Sequence, residues 1–207
     1  MRRIAWAAAV AVGLALVAAS VPSPGWAQQQ PGRIRGEIEQ ADGPKLTVKT
    51  RDGATLNVKV ADDARVAGLK KASLADIKPD TFIGIAGMPE ADGTIKAFSV
   101  HIFLPAQRGQ VAERHGPWDA KPGSTMTNAV VGEMVTGKDG ETLTVKYKDG
   151  EKKVIVGPDT AITAVAPASK DELKAGAQII IMASEKQPDG SVVAKTLYVG
   201  HGVTPAM

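Results

Sequence analysis

The chain has 207 residues, with 25 basic and 22 acidic side chains, three histidines and no cysteine. The missing thiol excludes disulfide staples, thiol catalysis, thiolate metal sites and lipid attachment at an N-terminal cysteine. The basic excess is slight, and lysines alternate with acids along the chain. That is a solvated mixed surface, not the one-sided stripe that nucleic acid requires, so no nucleic-acid partner is expected.

The chain opens with Arg2-Arg3, then an uncharged apolar run from Ile4 to Ala19. Pro22, Pro24 and Gly25 break it, and Gly25 and Ala27 are small residues at the −3 and −1 positions of a cleavage site. This order predicts a secretory signal peptide over 1–27, and a periplasmic or secreted protein starting at Gln28. The run falls short of the roughly 20 residues of a spanning helix, and no transmembrane segment is expected after Ala27. Without Arg2 and Arg3 the balance drops to 23 basic against 22 acidic residues.

From residue 33 onward the chain reads as β structure, and it reads the same way twice with a period near 96. Leu46-Thr47-Val48-Lys49 returns as Leu143-Thr144-Val145-Lys146, and Asp52-Gly53 as Asp149-Gly150. Val58-Lys59-Val60 returns as Val154-Ile155-Val156, and Asp92-Gly93 as Asp189-Gly190. At the start of each unit, Gly36-Glu37 matches Gly132-Glu133. Alternation of apolar and polar residues gives strands near 33–40, 45–50, 54–60, 64–67, 81–87 and 94–103. The second set falls near 129–136, 142–147, 151–156, 160–165, 177–183 and 191–199. The Asp-Gly pairs between these runs are hairpin turns, because glycine takes the positive φ that such turns need. Ser73 and Ser169 each open one helical turn, with Asp76 or Glu172 at capping-box spacing.

The expected fold is therefore all-β: two tandem small OB-like β-barrels related by duplication, over 31–105 and 129–203. Residues 106–128 join them. Their glycines and prolines argue against regular structure. Trp118 is out of place in a floppy linker and is expected to wedge between the barrels as an anchor, with a ligand contact as the rival role.

Gly36-Glu37 and Gly132-Glu133 open the two units, and each closes on Asp-Gly before a last alternating strand. Together with His115-Gly116-Pro117-Trp118-Asp119 and Pro122-Gly123-Ser124-Thr125-Met126-Thr127-Asn128 in the linker, they carry a resemblance. The chain resembles a bacterial family of exported tandem β-barrel domains of unknown function, found in soil proteobacteria. Some look-alikes carry the label "metal ABC transporter permease". The resemblance implies the fold class and export, and no activity. The permease label fits badly, since a permease needs several spanning helices.

Candidate chemistry is sparse. His101, His115 and His201 are the weak metal-ligand candidates, with no second ligand at a motif spacing such as His-x-x-x-His. His101 and His201 sit at related strand ends of the two units, the one arrangement that could bring them together. Ser124 shares the linker with His115 but lacks a nucleophile context, and reads as a turn residue. Glu37 and Glu133 form a repeated pair of acids within strands. No catalytic residue and no cofactor is expected. The leading reading is a non-enzymatic exported binding or structural module of the cell envelope that contacts another envelope protein. A periplasmic metal-handling accessory is the alternative, and a hydrolase ranks last.

Overall fold

In the computed structural model, residues 33–138 and 140–205 are described. The expected signal segment and the Gln28 terminus lie outside them. Twelve strands make up the fold: β1 (Ile34–Asp42), β2 (Lys45–Thr50), β3 (Thr55–Lys71), β4 (Phe82–Pro89), β5 (Ile95–Ile102) and β6 (Arg114–Pro117). They continue with β7 (Thr125–Gly137), β8 (Gly140–Tyr147), β9 (Gly150–Val156), β10 (Ala161–Pro167), β11 (Gln178–Lys186) and β12 (Val192–His201). Three short 3-10 turns are the only helical pieces among the described residues, and none is long and apolar enough to cross a membrane.

Local chemistry explains the turns. Gly93 and Gly190 take φ of 85° and 83°. Beside them the Asp92 carboxylate accepts the Thr94 N–H at 2.9 Å, and the Asp189 carboxylate accepts the Ser191 N–H at 2.9 Å. The Ser73 N–H donates to the Asp76 carboxylate at 2.8 Å, and the Ser169 N–H to Glu172 at 2.9 Å, so both helical turns start at capped serines. Two strand expectations change. Residues 54–60 and 64–67 fuse into β3, because no glycine or proline interrupts them before Gly68. In the second half Gly157-Pro158 does interrupt, and β9 and β10 stay separate. The linker gains a strand, β6, paired with β7.

Strand pairing closes on itself twice. One ring runs β1-β2-β3-β12-β11 and back to β1. The other runs β4-β5-β9-β8-β7 and back to β4. Neither ring is contiguous in sequence. Placing one barrel within 31–105 and the other within 129–203 does not match the pairing, since each ring takes three strands from one half and two from the other. The physical reason lies in β3. Thr55–Lys59 of this 17-residue strand pair with β2, and after a register shift against β12 its end, Ala67–Lys71, pairs with β10, so the chain leaves β3 at the junction with the other ring.

Each ring has its own apolar core. Ile38, Leu46, Val48, Val58, Ile179 and Leu197 fill the first, and Ile83, Ile85, Val100, Val131, Leu143 and Val154 the second. The rings join where β3 pairs antiparallel with β10, with Leu69 opposite Val165. Leu69, Phe82, Phe103, Trp118, Ile180 and Tyr198 form a third apolar cluster on this seam.

One expected equivalence is corrected. Ile38 pairs with Val48, and Val131 with Val145. The Ile38 N–H donates to Ala177 and the Val131 N–H to Thr81, both at 2.9 Å. Ile38 and Val131 are therefore counterparts, Gly36 answers to Ala129, and Gly132 falls at a bulge. The buried apolar residue sets the register, and the shared Gly-Glu letters do not. Gly36 is required on other grounds, since a Cβ there would run into the Lys49 carbonyl.

Candidate functional site

Between the rings lies a cavity of about 230 Å³. The end of β5 supplies His101, Phe103 follows just after that strand, and β7 supplies Met126 and Asn128. The linker supplies Val111, Arg114 and Trp118, while Met182, Thr196 and Tyr198 come from β11 and β12.

His101 is placed by strand alternation and by a glycine. It follows Ser99 on the seam face of β5, alternating with Val100 on the core face, and lies opposite Gly84 of β4. A Cβ on Gly84 would overlap the imidazole, so the missing side chain makes the room. The ring stands edge-on to Phe103 with centroids 4.6 Å apart, and Phe103 stacks on Phe82 at 4.8 Å. His101 is 2 % exposed, and burial lowers its pKa to about 3, so the ring is neutral at physiological pH. Its Nδ1 is buried without a hydrogen-bond partner.

Trp118 is 7 % exposed and its Nε1 is likewise buried without a partner. The ring is clamped from outside. The Arg33 guanidinium lies 3.7 Å from its centroid, a cation–π contact. Asp119 accepts from the Arg35 side chain at 2.8 Å and from the Arg33 backbone N–H at 3.3 Å. Burial raises the Asp119 carboxyl, but the Arg35 hydrogen bond and the charges of Arg35 and Arg33 outweigh it and leave the group below the ordinary carboxylate range. The turn after Trp118 is held by Ser124, whose hydroxyl donates to backbone carbonyls and accepts the Lys121 N–H at 3.1 Å. Ser124 is thus committed to the turn.

The remaining polar groups complete the walls. Asn128 donates to the Ala112 carbonyl at 3.3 Å and ties the linker to β7. The Tyr198 hydroxyl accepts from Gln107 at 3.4 Å, and burial raises its pKa, which keeps the phenol protonated. Arg114 is exposed and has no ion pair among the described residues. No acidic side chain lines the cavity.

The three histidines occupy different surroundings. The His115 Nδ1 lies 2.9 Å from the Thr127 hydroxyl, and its pKa is lowered by burial and then by Lys152. His201 is half exposed and lies 2.5 Å from the Glu172 carboxylate. Among the described residues, no three of His, Asp or Glu gather as a metal donor set. The related strand-end placement of His101 and His201 is also corrected. His101 pairs with Thr163 as Tyr198 pairs with Ala67, so Tyr198 is the counterpart of His101. His201 lies three residues further on. Glu37 is exposed and accepts from Gln178 at 2.8 Å, and Glu133 is exposed beside the β7 bulge.

Arg114, Met126, Asn128, Met182 and Tyr198 were not legible as site residues. They lie on separate segments, and only the crossing of strands between halves assembles them. Gly84 offered the one local signal, a glycine inside the apolar run Phe82–Ile85. Neither a protein-family model, nor a curated protein, nor a solved structure matches the chain.

Proposed function

We propose that the protein is an exported, non-enzymatic binding module of the cell envelope, and that its ligand occupies the seam cavity. One observation carries the reading: His101 and Trp118 both line this cavity, and each has a buried ring nitrogen without a partner. An unsatisfied buried polar group costs about 1–3 kcal/mol, which an apolar side chain at either position would avoid. A bound molecule that hydrogen-bonds these nitrogens would remove that cost. Large hydrophobic side chains exposed among the described residues are Met88 and Val135 alone, which favours a small ligand over a docked envelope protein.

The signal peptide over 1–27 and a periplasmic or secreted location belong to the same proposal. So does descent of the two halves from one OB-like unit. Its support is that both rings follow the order first, second, third, fifth, fourth, with the third and fifth strands parallel. Native mass spectrometry of protein recovered from the envelope tests the binding function. The expected spectrum carries a small-molecule adduct that disappears in His101→Phe and in the cavity-filling variant Thr196→Trp. A bare mass, with no thermal shift across a small-metabolite panel, would contradict it.

A further inference from the structure

Resting on the seam cavity as the ligand site, we infer that its occupant is a small monocarboxylate with a compact apolar body. The polar side chains among the lining residues carry mostly donors. The Trp118 N–H is buried and unused. The Tyr198 hydroxyl accepts from Gln107, which leaves its own proton free to donate. His101 presents an unused Nδ1, a donor in the tautomer that carries the proton there. Arg114 at the rim is the one charged lining residue, and no carboxylate opposes it. Arg33 on the indole is itself ion-paired with Asp119 at 3.4 Å, so Arg114 is the cation left to meet the ligand. Arginine beside N–H and O–H donors is the usual setting for a carboxylate.

The rest of the wall is apolar: Phe103, Val111, Met126 and Met182. A cavity of about 150 Å³ suffices for a benzene ring. The 230 Å³ here leaves room for a ring or short alkyl body with its carboxylate directed at the donors. A soft monovalent cation is the competing occupant, since His101, Met126 and Met182 share the cavity and thioethers with imidazole suit such ions. Arg114 and the absence of a lining acid oppose it.

Trp118 fluorescence separates these cases, in the full chain with Trp6→Phe and Trp26→Phe so that Trp118 alone emits. The probes are benzoate and phenylacetate, their neutral amides benzamide and phenylacetamide, and silver(I). The expected result is saturable binding of at least one acid, at least tenfold tighter than its amide. Arg114→Gln and Tyr198→Phe should each weaken the acid at least threefold, and Arg114→Gln should weaken it more than it weakens the amide. Equal binding of acid and amide, or insensitivity to both variants, would overturn the carboxylate inference while leaving the cavity as the site. Saturable silver binding without acid binding would overturn it in favour of the soft cation. No saturable response to any probe would overturn the inference and the binding site together.

Discussion

The two rings share strand order, and one cross-strand pair at the seam sets them apart in character. In the β1-β2-β3-β12-β11 ring, Ile180 of β11 lies opposite Tyr198 of β12. At the same place in the other ring, Gly84 of β4 lies opposite His101 of β5. The first pair is large and ordinary for a strand. The second removes one side chain and buries an imidazole in its place, at a cost in packing and desolvation. Both pairs face the seam, so an almost symmetric scaffold carries an asymmetric cavity. The linker covers that cavity through Trp118 and Arg114, which come from neither ring. Departure from an otherwise repeated pattern marks the site more clearly than any motif does.

The largest effect expected is at the lid of this asymmetry. Trp118→Ala should destabilise by about 3–5 kcal/mol, as other large-to-small core changes do, and Trp118→Phe by much less. Chemical denaturation measures both. A near-neutral Trp118→Ala would mean that the linker merely covers the seam.

Next is the pair itself. Gly84→Ala places a Cβ in the His101 ring and should cost about 2–3 kcal/mol. Much of the loss should return in the double variant with His101→Ala. A double-mutant cycle reads the coupling, and additive losses would show that the imidazole does not depend on Gly84.

Acid should act on one ring more than the other. The folded chain keeps His101 neutral down to about pH 3, while an unfolded histidine takes a proton near its ordinary value of 6.5. The unfolded state therefore binds more protons between those limits. Stability from this group is full above pH 6.5 and falls as pH drops toward 3, by about 1.4 kcal/mol per unit, or about 2 kcal/mol between pH 6.5 and 5. His115, with its pKa also lowered, acts in the same direction. His101→Phe should flatten most of the slope in thermal melts across this range, and an unchanged slope would place the acid sensitivity elsewhere.

The smallest effect concerns a turn. Asp80 takes φ of 69° where its counterpart Gly176 takes 83°. The Asp80 N–H donates to Val131, and the Gly176 N–H to Ile38. Asp80→Gly should change stability by under about 1 kcal/mol, since relief of left-handed strain offsets the added chain entropy. A larger loss would give the exposed Asp80–Arg108 pair, 3.8 Å apart, a role that surface ion pairs seldom have.

Most of the local structure was legible. Alternation located the strands, Asp-Gly pairs the hairpins, and Ser73 and Ser169 the capped turns. Each of these is set by residues a few positions apart. The partners of β4 and β11 were not legible. Phe82-Ile83-Gly84-Ile85 and Gln178-Ile179-Ile180-Ile181 are both buried runs that fit either ring, so local pattern is silent on the exchange. The correspondence of β1 with β7 was misread because the shared Gly-Glu letters lie beside Ile38 and Val131, the buried residues that set it. Of the site, Trp118 and His101 stood out as residue types. Their joint placement on one cavity depends on the exchange and could not be read before it.

Interleaving of the halves is the claim on which the cavity depends, and a cross-link tests it directly. Glu37 and Gln178 lie opposite each other across β1 and β11, 141 residues apart in sequence. The chain has no native cysteine, so Glu37→Cys with Gln178→Cys gives one defined disulfide between positions that cross-strand geometry brings within reach. With interleaved rings, mild oxidation should link this pair within a monomer, and the pair Glu37→Cys with Phe82→Cys should stay reduced. A monomeric link in the Glu37–Phe82 pair, with none in the Glu37–Gln178 pair, would mean that each half closes on itself.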